Sequence, residues 1–134
     1  MAVEWKPELS VGFDHIDRQH QELFRRFNTL IKACKEGRGR EKVKELLIFL
    51  DDYTLLHFGD EEKLMLTHGY PEIEGHRDQH RIFRAKLEEL MGILDEEGTS
   101  VHLLVATNEA VLQWLINHIR KVDTALGAFL KEKL

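Results

Sequence analysis

Four stretches of this chain repeat apolar residues at steps of three and four, and the breaks between them are only a few residues long. Each stretch must therefore be a helix that buries one stripe, and the short breaks make consecutive helices antiparallel neighbours. In the first, Ile16, His20, Leu23, Phe27, Leu30 and Cys34 mark the inward face. Asp14 stands where a cap belongs, Asp17 suits the positive end of the helix dipole, and Lys32 and Lys35 suit the negative end before Gly37 and Gly39. The second stretch turns Val43, Leu46, Leu47, Leu50, Thr54, His57, Glu61 and Leu64 inward and breaks at His68-Gly69-Tyr70-Pro71. The third carries His76, His80, Phe83, Leu87, Leu90, Met91 and Leu94, and stops within Asp95-Glu96-Glu97-Gly98. The fourth begins near Ser100 and buries Leu104, Val111, Leu115, His118 and Val122. The β-branched residues never alternate over several positions, so no strand is predicted.

The expected fold is all-α: an up-down-up-down antiparallel four-helix bundle with an N-terminal arm. One domain covers 1–134, with the arm at 1–13 and helices at about 14–36, 40–66, 72–95 and 100–120. A short C-terminal segment, 124–134, follows. Trp5 is expected to pack the arm against the bundle, and Cys34 to act as a small apolar side chain.

A chain of 134 residues can bury a core without disulfides, and its single cysteine offers none. The formal charge of -5 gives no attraction to nucleic acid. No stretch approaches the roughly 18 apolar residues of a membrane span, and the start, MAVEWKPELS, lacks the pattern of a secretory signal. A soluble, cytoplasmic, monomeric protein is the expectation. The basic residues around the first loop, Lys32 to Lys44, are interleaved with Glu36 and Glu41 and read as a solvated surface.

The histidines carry the chemistry. In an up-down bundle the start of helix one meets the end of two, the start of three and the end of four. His20 lies early in the first helix, His57 and Glu61 late in the second, His76 and His80 early in the third, and His118 and Asp123 late in the fourth. All seven therefore fall at one end. Residues four apart share a helix face, so His57 with Glu61 and His76 with His80 can each chelate. His118 and Asp123 are five apart, about 140° around a regular helix. Either the helix widens there into a π-type turn, or it ends and Asp123 folds back. Seven donors overfill a tetrahedral zinc site and suit two adjacent ions held by imidazoles and bridging carboxylates. No histidine follows a glutamate by three positions, as ferritin-like oxidase sites require, and no His-Glu-x-x-His run is present. For His15, His68 and His102 the expectation is an ordinary surface or turn role.

The segments Ile16-Asp17-Arg18-Gln19-His20, His57-Phe58-Gly59-Asp60-Glu61-Glu62, Gly69-Tyr70-Pro71, His76-Arg77-Asp78-Gln79-His80 and Trp114-Leu115-Ile116-Asn117-His118-Ile119-Arg120-Lys121-Val122-Asp123 together resemble the hemerythrin signature. The match is nearest to the single-domain bacterial branch, spans nearly the whole chain in order, and fills all seven ligand positions. The resemblance implies two iron ions with an oxo or hydroxo bridge. His76, His80 and His118 would hold the six-coordinate iron, His20 and His57 the five-coordinate one, and Glu61 and Asp123 would bridge them. It implies reversible dioxygen binding at the open iron, without catalytic residues, for storage, transport or delivery to an oxygen-using enzyme as protein client. Phe58, Trp114, Leu115 and Ile119 match the family's apolar ligand pocket. Two rival readings stand beside this one: a di-iron redox enzyme acting on peroxide or nitric oxide, and an oxygen- or redox-sensing module read by a separate partner. Apolar Phe58 and Leu115 and the lack of an inner acid weigh against the enzyme. The brevity of 124–134 weighs against a built-in output domain.

Overall fold

Helix α1 (Asp14–Lys35) buries the expected stripe of Ile16, His20, Leu23, Phe27 and Leu30. The computed structural model describes residues 4–133, apart from the side chain of Leu112. Residues 1–3 of the expected arm and residue 134 of the expected C-terminal segment lie outside the described residues. Helix α2 (Gly39–His68) closes on Gly69, whose φ of 66° lets Tyr70 N–H donate back to Met65 O at 3.0 Å. Helix α3 is Ile73–Glu97. Helix α4 (Val101–Asn108) starts on Ser100, whose Oγ accepts from Leu103 N–H at 3.0 Å. Strands are absent among the described residues, and the architecture is the expected all-α four-helix bundle. Helix α2 packs against both α1 and α3, and α4 packs against α2 and α3.

Beyond α4 the backbone stays helical but changes pitch twice. Two π-helical segments, π1 (Glu109–Leu115) and π2 (His118–Asp123), are joined through Ile116 and Asn117, and α5 (Thr124–Lys133) completes the rod. Of the two alternatives between His118 and Asp123, the π-type widening is the one present, and the chain does not fold back there. The fourth rod also runs past the expected stop near residue 120. An extra residue in the π2 turn re-phases the stripe, so that Leu126 and Leu130 continue it inward and pack with Met65 and Tyr70. That second cluster is what the helical extension stabilises.

Asp14 does not cap α1. It is the first helical residue, behind an N-cap at Phe13 that makes no side-chain bond. The nearby carboxylate instead ties down the arm: Asp17 accepts from Ser10 Oγ at 2.5 Å and from Val11 N–H at 2.9 Å. The arm's 3-10 turn, Pro7–Leu9, rests on π2, and Trp5 packs against the main core. A Cβ on Gly127 would lie 2.8 Å from Val11 Cα, so only glycine lets arm and α5 come this close. At the opposite end of the bundle, Arg40 Nε donates to Thr99 O at 2.7 Å.

Candidate metal centre

All seven predicted donors converge on one end of the bundle, and none is more than 3% exposed. They fall into two interlocking groups whose ligand atoms lie within 4.8 Å of one another. One group is His20, His57, Glu61 and Asp123; the other is Glu61, His76, His80, His118 and Asp123. Both carboxylates belong to both groups. Asp123 turns Oδ2 to His20 Nε2 at 3.0 Å and Oδ1 to His76 Nε2 at 2.9 Å and His118 Nε2 at 3.3 Å. Glu61 sets Oε2 at 3.5 Å from His20 Nε2, while its Oε1 lies 3.1 Å from His80, 3.7 Å from His76 and 3.7 Å from His57. The π2 turn explains the reach of Asp123: i to i+5 neighbours align there, as they cannot on a regular α-turn.

The donor set fits a pair of cations on its own geometry. Despite these close approaches, the Nε2 atoms of His20, His57, His76 and His118, Oε2 of Glu61 and both oxygens of Asp123 are buried and form no hydrogen bond of acceptable geometry among the described residues. Buried polar atoms are seldom left so. Metal–ligand bonds of about 2.1 Å place adjacent corners of an octahedron about 3 Å apart, at the short end of the 2.9–3.7 Å spacings between these nitrogens and oxygens. Without cations, protons take their place. Burial alone would lower His20, but Asp123 and Glu61 outweigh it and raise the ring to about 10. The same balance raises His76 to about 9. Burial prevails at His57 and pushes it down to about 4. Burial and the charge of Glu61 oppose ionisation of Asp123, yet His118 and His20 hold its carboxyl far below the usual range. Burial opposes ionisation of Glu61 too, and the surrounding histidines again win.

Aromatic rings wall the three-histidine group. Phe58 stacks on His80 with centroids 3.9 Å apart and planes 7° off parallel. Trp114, carried on π1, stacks on His118 at 4.9 Å and 8°. Leu115 and Ile119 are fully buried in the main core. Phe83 joins the wall, edge-on to Phe58 at 6.0 Å and stacked on Trp114 at 5.0 Å. Phe83 is fully buried in the main core, as its place on the α3 stripe implies, and borders the histidines from there.

Two polar residues that sequence reasoning passed over touch the histidines from outside. Gln19 Oε1 accepts from His57 Nδ1 at 2.7 Å, and Glu62 Oε2 accepts from His80 Nδ1 at 2.8 Å. Such contacts span 38 and 18 residues of sequence, and no periodicity announces them. Of the remaining histidines, His15 meets Asp60 at 2.8 Å, His68 Nδ1 bonds Leu64 O at 3.0 Å, and His102 pairs with Glu97. None of the three enters the cluster.

A family model described as the hemerythrin HHE cation binding domain matches residues 11–130. The chain belongs to the hemerythrin family. It is 32% identical over 130 residues to a bacteriohemerythrin of Stenotrophomonas maltophilia, covering 97% of this chain and 82% of that one. A myohemerythrin of Riftia pachyptila is 32% identical over 119 residues, 89% of this chain and 86% of its own. A bacteriohemerythrin of Methylococcus capsulatus is 32% identical over 123 residues, 88% and 86% respectively. The match takes in all four helical rods and all seven donors of this hemerythrin.

Proposed function

We propose that the chain binds dioxygen reversibly at a non-haem di-iron centre held by His20, His57, Glu61, His76, His80, His118 and Asp123. The observation that carries this reading is the pair of interlocking donor groups that share both carboxylates, in which the Nε2 atoms of His20, His57, His76 and His118 are buried and make no well-formed hydrogen bond. Membership of a family that binds oxygen at a di-iron site supports it. His76, His80 and His118 would hold one ion and His20 and His57 the other, with Glu61 and Asp123, which belong to both donor groups, shared between them. When bound, the iron pair supplies two electrons that dioxygen borrows and returns.

The protein's part is to orient and to exclude. Three histidines would serve one ion and two the other, so the two-histidine side would have room for a diatomic ligand. Buried Phe58, Leu115, Ile119 and Phe83, with half-buried Trp114 stacked on His118, keep water and its protons from the centre. Dry surroundings favour a binding step that returns its ligand unchanged over one that releases reduced oxygen. That lining opposes turnover of peroxide or nitric oxide, and reversible carriage is the reading we adopt. Storage in, or delivery within, the cytoplasm by a monomer, with an oxygen-using enzyme as client, completes it. No helix among the described residues is long and apolar enough to cross a membrane.

Metal content together with the visible spectrum tests the proposal. Anaerobically reduced protein should contain about two irons per chain, the ratio set by two donor groups. A visible band should develop in air and fade when oxygen is removed. Immediate oxidation without that band would support the enzyme or sensor reading, and zinc or no metal would overturn the mechanism.

A further inference from the structure

Each of the five histidines turns Nε2 toward the carboxylates, so Nδ1 is the nitrogen through which the rest of the protein acts on it. Only His57 and His80 have an Nδ1 partner among the described residues; those of His20, His76 and His118 have none. Each donor group thus contains one histidine gripped from outside, and the two grips differ in charge.

At His57 the partner is an amide. Gln19 Nε2 donates to Asp60 Oδ2 at 2.9 Å, so its oxygen must face His57 and Nδ1 must carry the proton. At His80 the partner is a carboxylate. Glu62 gives Oε2 to His80 at 2.8 Å, while its Oε1 lies 3.4 Å from Arg77 Nε, and Arg77 is held in turn by Glu74 at 2.9 Å. A carboxylate can only accept here, so this ring too is a donor through Nδ1. An anionic acceptor draws on that proton more strongly than a neutral amide and leaves more electron density on Nε2.

We propose that Glu62 is a redox-tuning positioning residue: it makes His80 the stronger electron donor of the two gripped histidines and biases the ion held with His76 and His118 toward its oxidised state. Gln19 leaves the neighbouring ion without that bias. The chain therefore distinguishes its two metal positions by the acceptor behind a histidine as well as by ligand number. This inference rests on the di-iron reading above.

Two near-isosteric changes test it, read by iron content and by the midpoint potential of the loaded protein in a mediated titration. Glu62→Gln removes the charge and should favour the reduced state about tenfold, about 59 mV for one electron. The double variant Gln19→Glu with Asp60→Asn adds a carboxylate behind His57 without placing two anions side by side, and should lower the potential. Loosened packing would not move the two variants in opposite directions. Nitrogen chemical shifts of His80 in the metal-free protein should show a strongly bonded Nδ1–H that weakens in Glu62→Gln. Should Glu62→Gln fail to retain iron, the double variant decides: a lowered potential supports the assignment, and an unchanged one overturns it. Two irons per chain with unchanged potentials in both variants overturn the tuning role and leave the di-iron reading intact. A wild-type chain that takes up no pair of irons overturns both.

Discussion

Replacing Phe58 with alanine separates the packing role of that ring from its role as a shield. Phe58 is 4% exposed, stacks on His80 and meets Phe83 edge-on. It also floors an open groove of about 520 Å³ between α2 and α3, lined by Leu55, Arg77, Arg81 and Arg84. Truncating a buried phenylalanine costs about 3–5 kcal/mol. The lower end applies here, because the void opens onto the groove and water can fill it. Loss of about 3 kcal/mol leaves a domain of ordinary stability folded at 25 °C, with Tm lower by about 10 °C. Water reaching His80 should also hasten oxidation of the reduced, iron-loaded protein. A tenfold faster rate corresponds to about 1.4 kcal/mol of barrier. Leu47→Ala is the control: Leu47 is fully buried ten residues before His57, about 15 Å away along α2. It should cost about 2–5 kcal/mol and leave oxidation unchanged. Urea melts of the metal-free proteins give the first quantity, and the fading of the oxygenated spectrum gives the second. Equal oxidation rates in the two variants would refute a shielding role for Phe58.

The metal-free protein should be most stable near pH 6.5. His20 and His76, raised to about 10 and about 9, contribute stability that is whole below their ordinary value of 6.5 and is lost as pH rises through 9 and 10. His57, pushed down to about 4, erodes stability as pH falls from 6.5 through 4. Urea midpoints at pH 5, 6.5 and 9 would show the maximum, and the iron-loaded protein should lack the alkaline fall because cations replace those protons. A flat profile in the metal-free protein would contradict the assigned charges. Gly127→Ala drives a methyl into Val11 and Ser10 and should cost about 1–3 kcal/mol. An unchanged midpoint would show that the arm yields freely. Leu115→Ala should speed autoxidation by admitting water beneath His118, and an unchanged rate would remove Leu115 from the pocket.

The helices were legible because each buries one stripe at a fixed period, from Ile16 through Leu30 and from His76 through Leu90. Convergence of the seven donors was legible for the same reason: antiparallel topology converts position along a helix into height in the bundle. The five-residue step from His118 to Asp123 announced a local irregularity, either a widened turn or a helix end, since a regular helix would turn the two side chains apart; the π2 turn is the one present. What escaped were features without a period. The π1 segment sits in an unremarkable run, Glu109–Leu115, with no paired donors to reveal it. Helix α5 was missed because the π2 turn shifts the phase of the stripe, which then reads as ended. Gln19 and Glu62 are exposed as partners only when distant helices are brought side by side. Asp17 resembled a dipole-friendly first-turn acid, whereas its carboxylate fastens the arm.

The near-complete burial of the seven donors has a consequence for how the centre comes into being. A wall that keeps water from the histidines keeps hydrated iron from them as well. Iron must therefore arrive while the chain is folding, or during excursions that part the helices at that end. In the second case the rate of loading measures how often the closed bundle opens, and every change that tightens it makes the finished protein slower to fill.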